Sequence, residues 1–361
     1  VELVKLTGSP IFHGVKYRHW NLVDPKYDGG AANHLGFMAA MNKPQPDLVI
    51  LLACRTGMYF GGRNGFIPPT EDCKYIQVDT DGGEIGRTRP IDVGIVADLS
   101  EVLSALCHEI AHTPFHTDPA WIEIAVNTQR EVVAPASKEP TDISPGRMNV
   151  YHALKEAFSS LEPGSIICID GGETSLWGAD LLPFARPHLS FGALGYLVLL
   201  GNGFGWSLGA AIADPSRQVV NLQGDGSAGF HFSSLDTYAR FQLNILTVVV
   251  NNAVWAMSIH GQELFYGEKD PARNVSRLSP ETRYDIIAEG FGNAAAMVNK
   301  FDEIRGEVKR LSQDPRPACL NLIVAETPIH PATKAFMNEN PDPNVINVPY
   351  YDSIPRPFYK V

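Results

Sequence analysis

The stretch QVVNLQGDGS (218–227), followed by ILTVVVNN (245–252), decides how this chain folds. The first run is an apolar strand that stops at Gly224-Asp225-Gly226, and the second is a β-branched strand that stops at Asn251-Asn252. Between them a helix-like stretch from Phe230 to Phe241 supplies the crossover of a right-handed βαβ unit. The carboxyl ends of two such strands emerge side by side on one rim of the sheet, so Asp225 and Asn252 are predicted to face a common point. A carboxylate and an amide oxygen are hard donors suited to Mg2+ or Ca2+, and Mg2+ commonly takes few protein oxygens plus substrate phosphates. A backbone carbonyl just past Asn252 would supply a third donor. Gly224 and Gly226 let the backbone approach a phosphate closely, and the N-terminus of the following helix favours negative charge. The physical reading is a metal-bridged diphosphate site.

Outward from this unit, apolar runs alternate with helix-like stretches along nearly the whole chain. Continuous apolar strands such as DLVILLA (47–53), YIQVD (75–79), SIICI (165–169) and CLNLIV (319–324) point to parallel sheets covered by helices on both faces. The fold class expected is α/β, with two doubly wound parallel-sheet domains. Residues 1–111 form the first, 112–145 a linker with one helix (Trp121 to Glu131), 146–327 the second, and 328–361 an extended tail too rich in proline for a helix.

The composition narrows the class. With 361 residues, 44% hydrophobic and 19% charged, the chain is neither disordered nor a disulfide scaffold. A formal charge of −11 disfavours nucleic acid and anionic membrane as partners. No apolar run approaches the ~20 residues of a membrane helix. Five scattered cysteines without CxxC spacing suggest neither disulfides nor zinc, which fits a reducing, cytoplasmic setting.

The GDG motif, a spacer of 24 residues (227–250) and the NN motif together resemble the signature of the thiamine-diphosphate-dependent enzymes. The resemblance extends to GGETSLW (171–177), where that family places a diphosphate-contacting loop, and to YLVLLGNGFGWSLGAA (196–211), similar to its glycine-rich helix entrance. It implies thiamine diphosphate and Mg2+ as cofactors, with Asp225, Asn252 and the carbonyl of Val254 as metal ligands. Thr174, Glu173, Gly224, Gly226, Ser227, Trp255, Ala256 and Met257 would contact the cofactor, and Leu200 would be the apolar wedge that bends it. NNAVWAMSIHGQ (251–262) most resembles benzaldehyde lyase and related carboligases, implying Met257 and Ser258 nearest the substrate and His260 as a proton relay. Gly261 stands where acetolactate synthases typically carry a bulky tryptophan, whereas Met257 matches them.

Residues 1–111 resemble the family's central Rossmann-like domain through YIQVD (75–79), EIGR (84–87) and GIVAD (94–98). Relatives bind FAD or ADP there, and Arg55, Arg63 and Arg87 are the candidate phosphate contacts. The family's pyrimidine-binding domain, with its activating glutamate, has no counterpart. A longer chain or a second polypeptide is expected to supply it, within a homodimer or homotetramer.

The reading is a lyase or carboligase acting on 2-hydroxy ketones, aldehydes or 2-oxo acids, with a small-molecule carbonyl substrate. Acetolactate synthase, a 2-oxo acid decarboxylase and a 2-hydroxyacyl-CoA lyase are the alternatives, and a non-catalytic assembly subunit is one of another class. A nicotinamide enzyme using Gly201-Asn202-Gly203-Phe204-Gly205 has GxGxG spacing rather than GxGxxG and leaves Asn251-Asn252 unexplained. The aromatic tail residues Tyr350, Tyr351, Phe358 and Tyr359 are candidates to cap an active site.

Overall fold

The computed structural model describes residues 1–14, 16–20, 22–54, 56, 73–192, 199–266, 275–336, 345–346 and 354–355. Chain contacts divide it into two compact α/β units, one of residues 1–15, 21–132 and 338–361, the other of 16–20 and 133–337. Arg55, Arg63, the run 193–198 and the four tail aromatics lie outside the described residues.

The chain opens with α1 (Glu2–Thr7), β1 (Ile11–His13), β2 (Tyr17–His19), β3 (Asp28–Ala31) and α2 (Asn33–Ala40), then β4 (Leu48–Leu52), β5 (Lys74–Asp79), β6 (Val93–Val96), α3 (Leu99–His112) and α4 (Pro119–Val133). In the first unit β4, β5 and β6 form a parallel sheet in that order. Asp98 caps α3 by accepting from the Ser100 amide. The helix expected inside a linker is α4, and it belongs to this unit. Its Ala125 is fully buried in one core with Leu35, Met38 and Tyr75, and Ile122 and Val132 are buried on the same helix. The division therefore falls between Val132 and Val133, not at 111.

The second unit comprises β7 (Asp142–Ser144), β8 (Arg147–Met148), α5 (Val150–Ser159), β9 (Ile166–Ile169), α6 (Glu173–Ala185), β10 (Leu189–Gly192), α7 (Gly203–Ala213), β11 (Val219–Gly224), α8 (Asp225–His231), α9 (Ser234–Arg240), β12 (Ile245–Asn251), α10 (Ala256–Tyr266), α11 (Tyr284–Gly290), β13 (Ala294–Val298), α12 (Ile304–Ser312), β14 (Ala318–Ile323) and α13 (Pro331–Phe336). Two short strands, β15 (Val345–Ile346) and β16 (Ile354–Pro355), pair in the first unit. Among the described residues the second unit's sheet runs β13-β14-β12-β11-β9-β10-β2, parallel except for the antiparallel edge strand β2. Every residue of β9, β11 and β12 is buried, which is why these strands read as unbroken apolar runs. On α12, Ile304, Val308 and Leu311 are buried at helical spacing.

Two expectations are corrected here. The single helix expected from Phe230 to Phe241 is two, and the first begins within the GDG motif at Asp225. The proline-rich tail does contain a helix, because Pro331 sits at its first position, where a missing N–H costs no hydrogen bond.

Candidate functional site

Strands β11 and β12 lie side by side in register, with Gly224 opposite Val250, so the GDG and NN motifs leave the sheet together. Asp225 is 3% exposed, and its carboxylate bridges the two motifs: Oδ1 accepts from the Gly226 amide at 2.8 Å and Oδ2 from the Ala253 amide at 2.6 Å. Burial pushes the Asp225 carboxyl up to about 7, against the opposing pull of the Gly226, Ala253 and Asn252 amides. A buried acid in that condition gains from a bound cation.

The two asparagines divide the work. Asn251 turns into the sheet, donating to Asn321 Oδ1 at 3.1 Å, while Asn321 donates to Asp285 Oδ1 at 3.1 Å. Asn252 stays on the loop, where its Oδ1 accepts from the Val254 amide at 3.2 Å. Ala253 adopts a left-handed φ of 60° to make this corner. Val254 forms an antiparallel bridge with Arg277 in which the hydrogen bonds come from its neighbours, Leu278 N to Ala253 O and Trp255 N to Ser276 O. Val254 is thus the non-hydrogen-bonded member, and its N–H and C=O point away from residues 276–278, to the side of Asn252. One carboxylate, one amide and one carbonyl, all hard oxygens, gather at this corner, a donor set that fits Mg2+.

The opposite wall is the turn after β9. Gly171 has φ 111°, and a Cβ there would meet Gly224 N at 3.1 Å and Thr174 Cβ at 3.2 Å. A Cβ on Gly172 would meet Met257 Cβ at 3.2 Å, and one on Gly226 would meet the Trp255 ring at 3.2 Å. Gly171, Gly172, Thr174, Gly224, Asp225, Gly226, Trp255 and Met257 are therefore brought together. Here α6 opens at Gly172 without a side-chain cap, leaving backbone N–H groups for an anion. The long helix start at this corner is that of α6; α8, which follows GDG, has only 7 residues.

Other expected residues sit differently. Ser227 Oγ lies 2.8 Å from Gln223 Oε1 and 3.0 Å from Gly224 O, so its hydroxyl serves its own turn. Glu173 is buried and its carboxylate is engaged by His260 and the His330 amide, not free for a diphosphate. A carboxylate beside phosphate repels it, whereas imidazole and amide donors hold it. Ala256 starts α10, Ser258 is exposed, and Leu200 is half-buried in the turn before α7. Arg87 pairs with Glu84 at 3.1 Å.

Sequence reasoning missed several groups. Asp170, fully buried, accepts from Gly171 N at 2.6 Å and Gly203 N at 2.7 Å, tying the turn after β9 to the start of α7. That bond places a carboxylate where a dinucleotide reading of Gly201 to Gly205 would need a pyrophosphate. Tyr284 donates to Asp225 O at 3.0 Å, and Phe230, 56% exposed, stacks edge-on to Trp255 at 5.8 Å. His330 comes from a distant segment to bond both Glu173 and Asp180 of α6. Phe230 falls within a helix-like stretch already marked, but no spacing signal points to His330.

The model of the thiamine pyrophosphate enzyme central domain matches residues 1–106, and that of the C-terminal TPP binding domain matches residues 170–322. A probable acetolactate synthase of Mycobacterium bovis is 30% identical over 247 residues, covering 67% of this chain and 43% of that protein. Acetolactate synthase isozyme 1 large subunit of Escherichia coli is 28% identical over 291 residues, 80% of this chain and 49% of its own. A 2-hydroxyacyl-CoA lyase of Oryza sativa is 27% identical over 292 residues, 78% of this chain and 49% of its own. The chain spans about half the length of these curated relatives. With both family models matched in order along its length, the chain belongs to the thiamine pyrophosphate enzymes.

Proposed function

We propose that this chain forms the central and cofactor-binding parts of a thiamine-diphosphate- and Mg2+-dependent enzyme that makes or breaks a C–C bond next to a carbonyl. The relatives are named acetolactate synthases and a 2-hydroxyacyl-CoA lyase, so these readings stand ahead of the benzaldehyde lyase one. The observation that carries the proposal is the Asp225 carboxylate bonded to the Ala253 amide, which seats a buried acid against the Asn252 loop.

In this reading Asp225, Asn252 Oδ1 and the Val254 carbonyl hold the cation. The open amides of α6, the Thr174 hydroxyl and the close-packed turn at Gly171 and Gly172 receive the diphosphate. Trp255, lying on Gly226, and Met257, against Gly172, close the walls and exclude water. Bound there, the cofactor supplies a sink for the electron pair released when the C–C bond breaks. A pyrimidine-binding domain, from a preceding segment or a second polypeptide, completes the centre in an oligomer.

The test is a titration of full-length protein with thiamine diphosphate in the presence and absence of Mg2+, followed by assays with pyruvate, 2-hydroxyacyl-CoA and benzoin. Mg2+-dependent binding with turnover of pyruvate or the hydroxyacyl thioester is expected. Binding without turnover of any of the three would favour the assembly-subunit reading.

A further inference from the structure

Glu173 is the hub of a buried polar chain. Its Oε2 lies 2.8 Å from His260 Nδ1, with the two side chains 3% and 2% exposed, and its Oε1 accepts from the His330 amide at 3.0 Å. The His330 ring is fixed in turn: Nδ1 accepts from the Ala332 amide at 3.0 Å, so Nε2 carries the proton and donates to Asp180 Oδ2 at 3.2 Å. Three segments far apart in sequence, α6, α10 and the lead into α13, thus meet at one carboxylate.

The arrangement fixes the chemistry of His260. A carboxylate only accepts, so Nδ1 carries a ring proton, and in the neutral imidazole Nε2 is the nitrogen that keeps a lone pair. Nε2 is buried and has no hydrogen-bond partner among the described residues. Most buried side-chain polar atoms have a partner, so an unpartnered ring nitrogen calls for an explanation. His260 also lies one helical turn beyond Met257, which packs on Gly172 of the cofactor turn. An imidazole oriented by a carboxylate at one nitrogen and open at the other is the arrangement of a general base.

We propose that Glu173 is a positioning residue, and that through it His260 Nε2 exchanges a proton with the hydroxyl of a carbinol substrate. In cleavage the O–H bond breaks, its proton goes to Nε2 and its electron pair becomes the second C–O bond of the product carbonyl; a cofactor held at the neighbouring turn would supply the sink for the C–C pair. The imidazolium so formed is stabilised by Glu173, and ligation runs the same proton back. Glu173 faces His260 Nδ1, with the Asp180–His330 pair behind it, and Glu263 lies one turn on along the same helix. The inference rests on the site's reading as a thiamine diphosphate centre.

Glu173→Gln, His260→Ala and the double variant of the full-length protein test it. Glu173→Gln is expected to lower kcat for cleavage by about 100-fold or more and to move the acidic limb of the pH profile, where the base becomes protonated. Thiamine diphosphate affinity, read by tryptophan fluorescence, stays within about twofold, because the carboxylate does not touch the diphosphate. In the His260→Ala background the Glu173 change adds nothing further to kcat. In cofactor-free protein, 15N spectra of labelled histidine should show His260 protonated at Nδ1, a preference that Glu173→Gln removes. Additive losses, an unmoved pH profile, or an Nε2-protonated His260 in the wild type would overturn the proposal. Wild-type protein that binds no cofactor would instead refute the reading of the site itself.

Discussion

At the scale of single residues, the two adjacent asparagines show how position on a strand decides a role. Asn251 is the last residue of β12 and is drawn into the Asn321 and Asp285 network, whereas Asn252, one step beyond, is left to the loop. Burial alone would raise the Asp285 carboxyl, but hydrogen bonds from Arg283 and Asn321 outweigh it and hold the group below its ordinary 3.8. A depressed carboxyl contributes stability that is fully present above its unfolded value and is lost as pH falls through its folded one. Acid unfolding of this unit should therefore set in below about pH 4. Asp285→Asn should flatten that acid limb in a thermal melt series, and an unchanged limb would assign the acid sensitivity elsewhere. The residue pairing that sequence spacing could not reach is Glu173 with His330, which meet only because α13 returns to α6.

Elements place these residues by close approach. Gly203, the first residue of α7, stands so near Asp170 and Asn221 that a Cβ would meet Asp170 Cβ and Asn221 Oδ1 at 2.9 Å, with Gln223 Nε2 nearer still. Gly203→Ala should cost about 1–3 kcal/mol in a urea unfolding experiment, the range of an overpacked site. It should also loosen the turn that Asp170 shares with Gly171. A variant as stable as the parent would mean that α7 shifts freely against β11. The strands were legible because burial on both faces leaves no polar alternation to confuse them, as in β9, β11 and β12. Helix α4 was visible, but its membership was not, since the partners of Ala125 lie in α2 and β5, far back in the chain. For α13 the proline count misled, because one proline at a first position favours a helix start.

Over the whole molecule, the corner of Asp225 and Asn252 belongs to the unit of residues 133–337, and the parallel sheet β4-β5-β6 to the other. Calorimetry is expected to resolve two transitions, with thiamine diphosphate and Mg2+ raising the one that belongs to residues 133–337. Ligand at one hundred times its Kd contributes about 2.7 kcal/mol to the state that binds it. Equal shifts of both transitions would mean that the units unfold as one. The buried thiols offer a second view: burial pushes Cys168 up to about 12 and raises Cys319 as well. Neither should react with a thiol reagent at pH 8 until the second unit opens, while half-buried Cys107 reacts in the native protein. Among the described residues no helix is long and apolar enough to cross a membrane.

The functional reading depends on a buried carboxylate and the loop of a neighbouring strand sharing one divalent ion. Asp225 is buried, so Asp225→Asn, which keeps its volume and an acceptor for the Ala253 amide, tests the ligand without opening a cavity. Calorimetric titration of thiamine diphosphate into full-length protein, wild type and Asp225→Asn, with Mg2+ and with EDTA, measures this directly. Binding to the wild type should require Mg2+, and the variant should lose affinity by about 100-fold or more while remaining folded. Equal affinity in both proteins, or binding indifferent to Mg2+, would contradict the assignment.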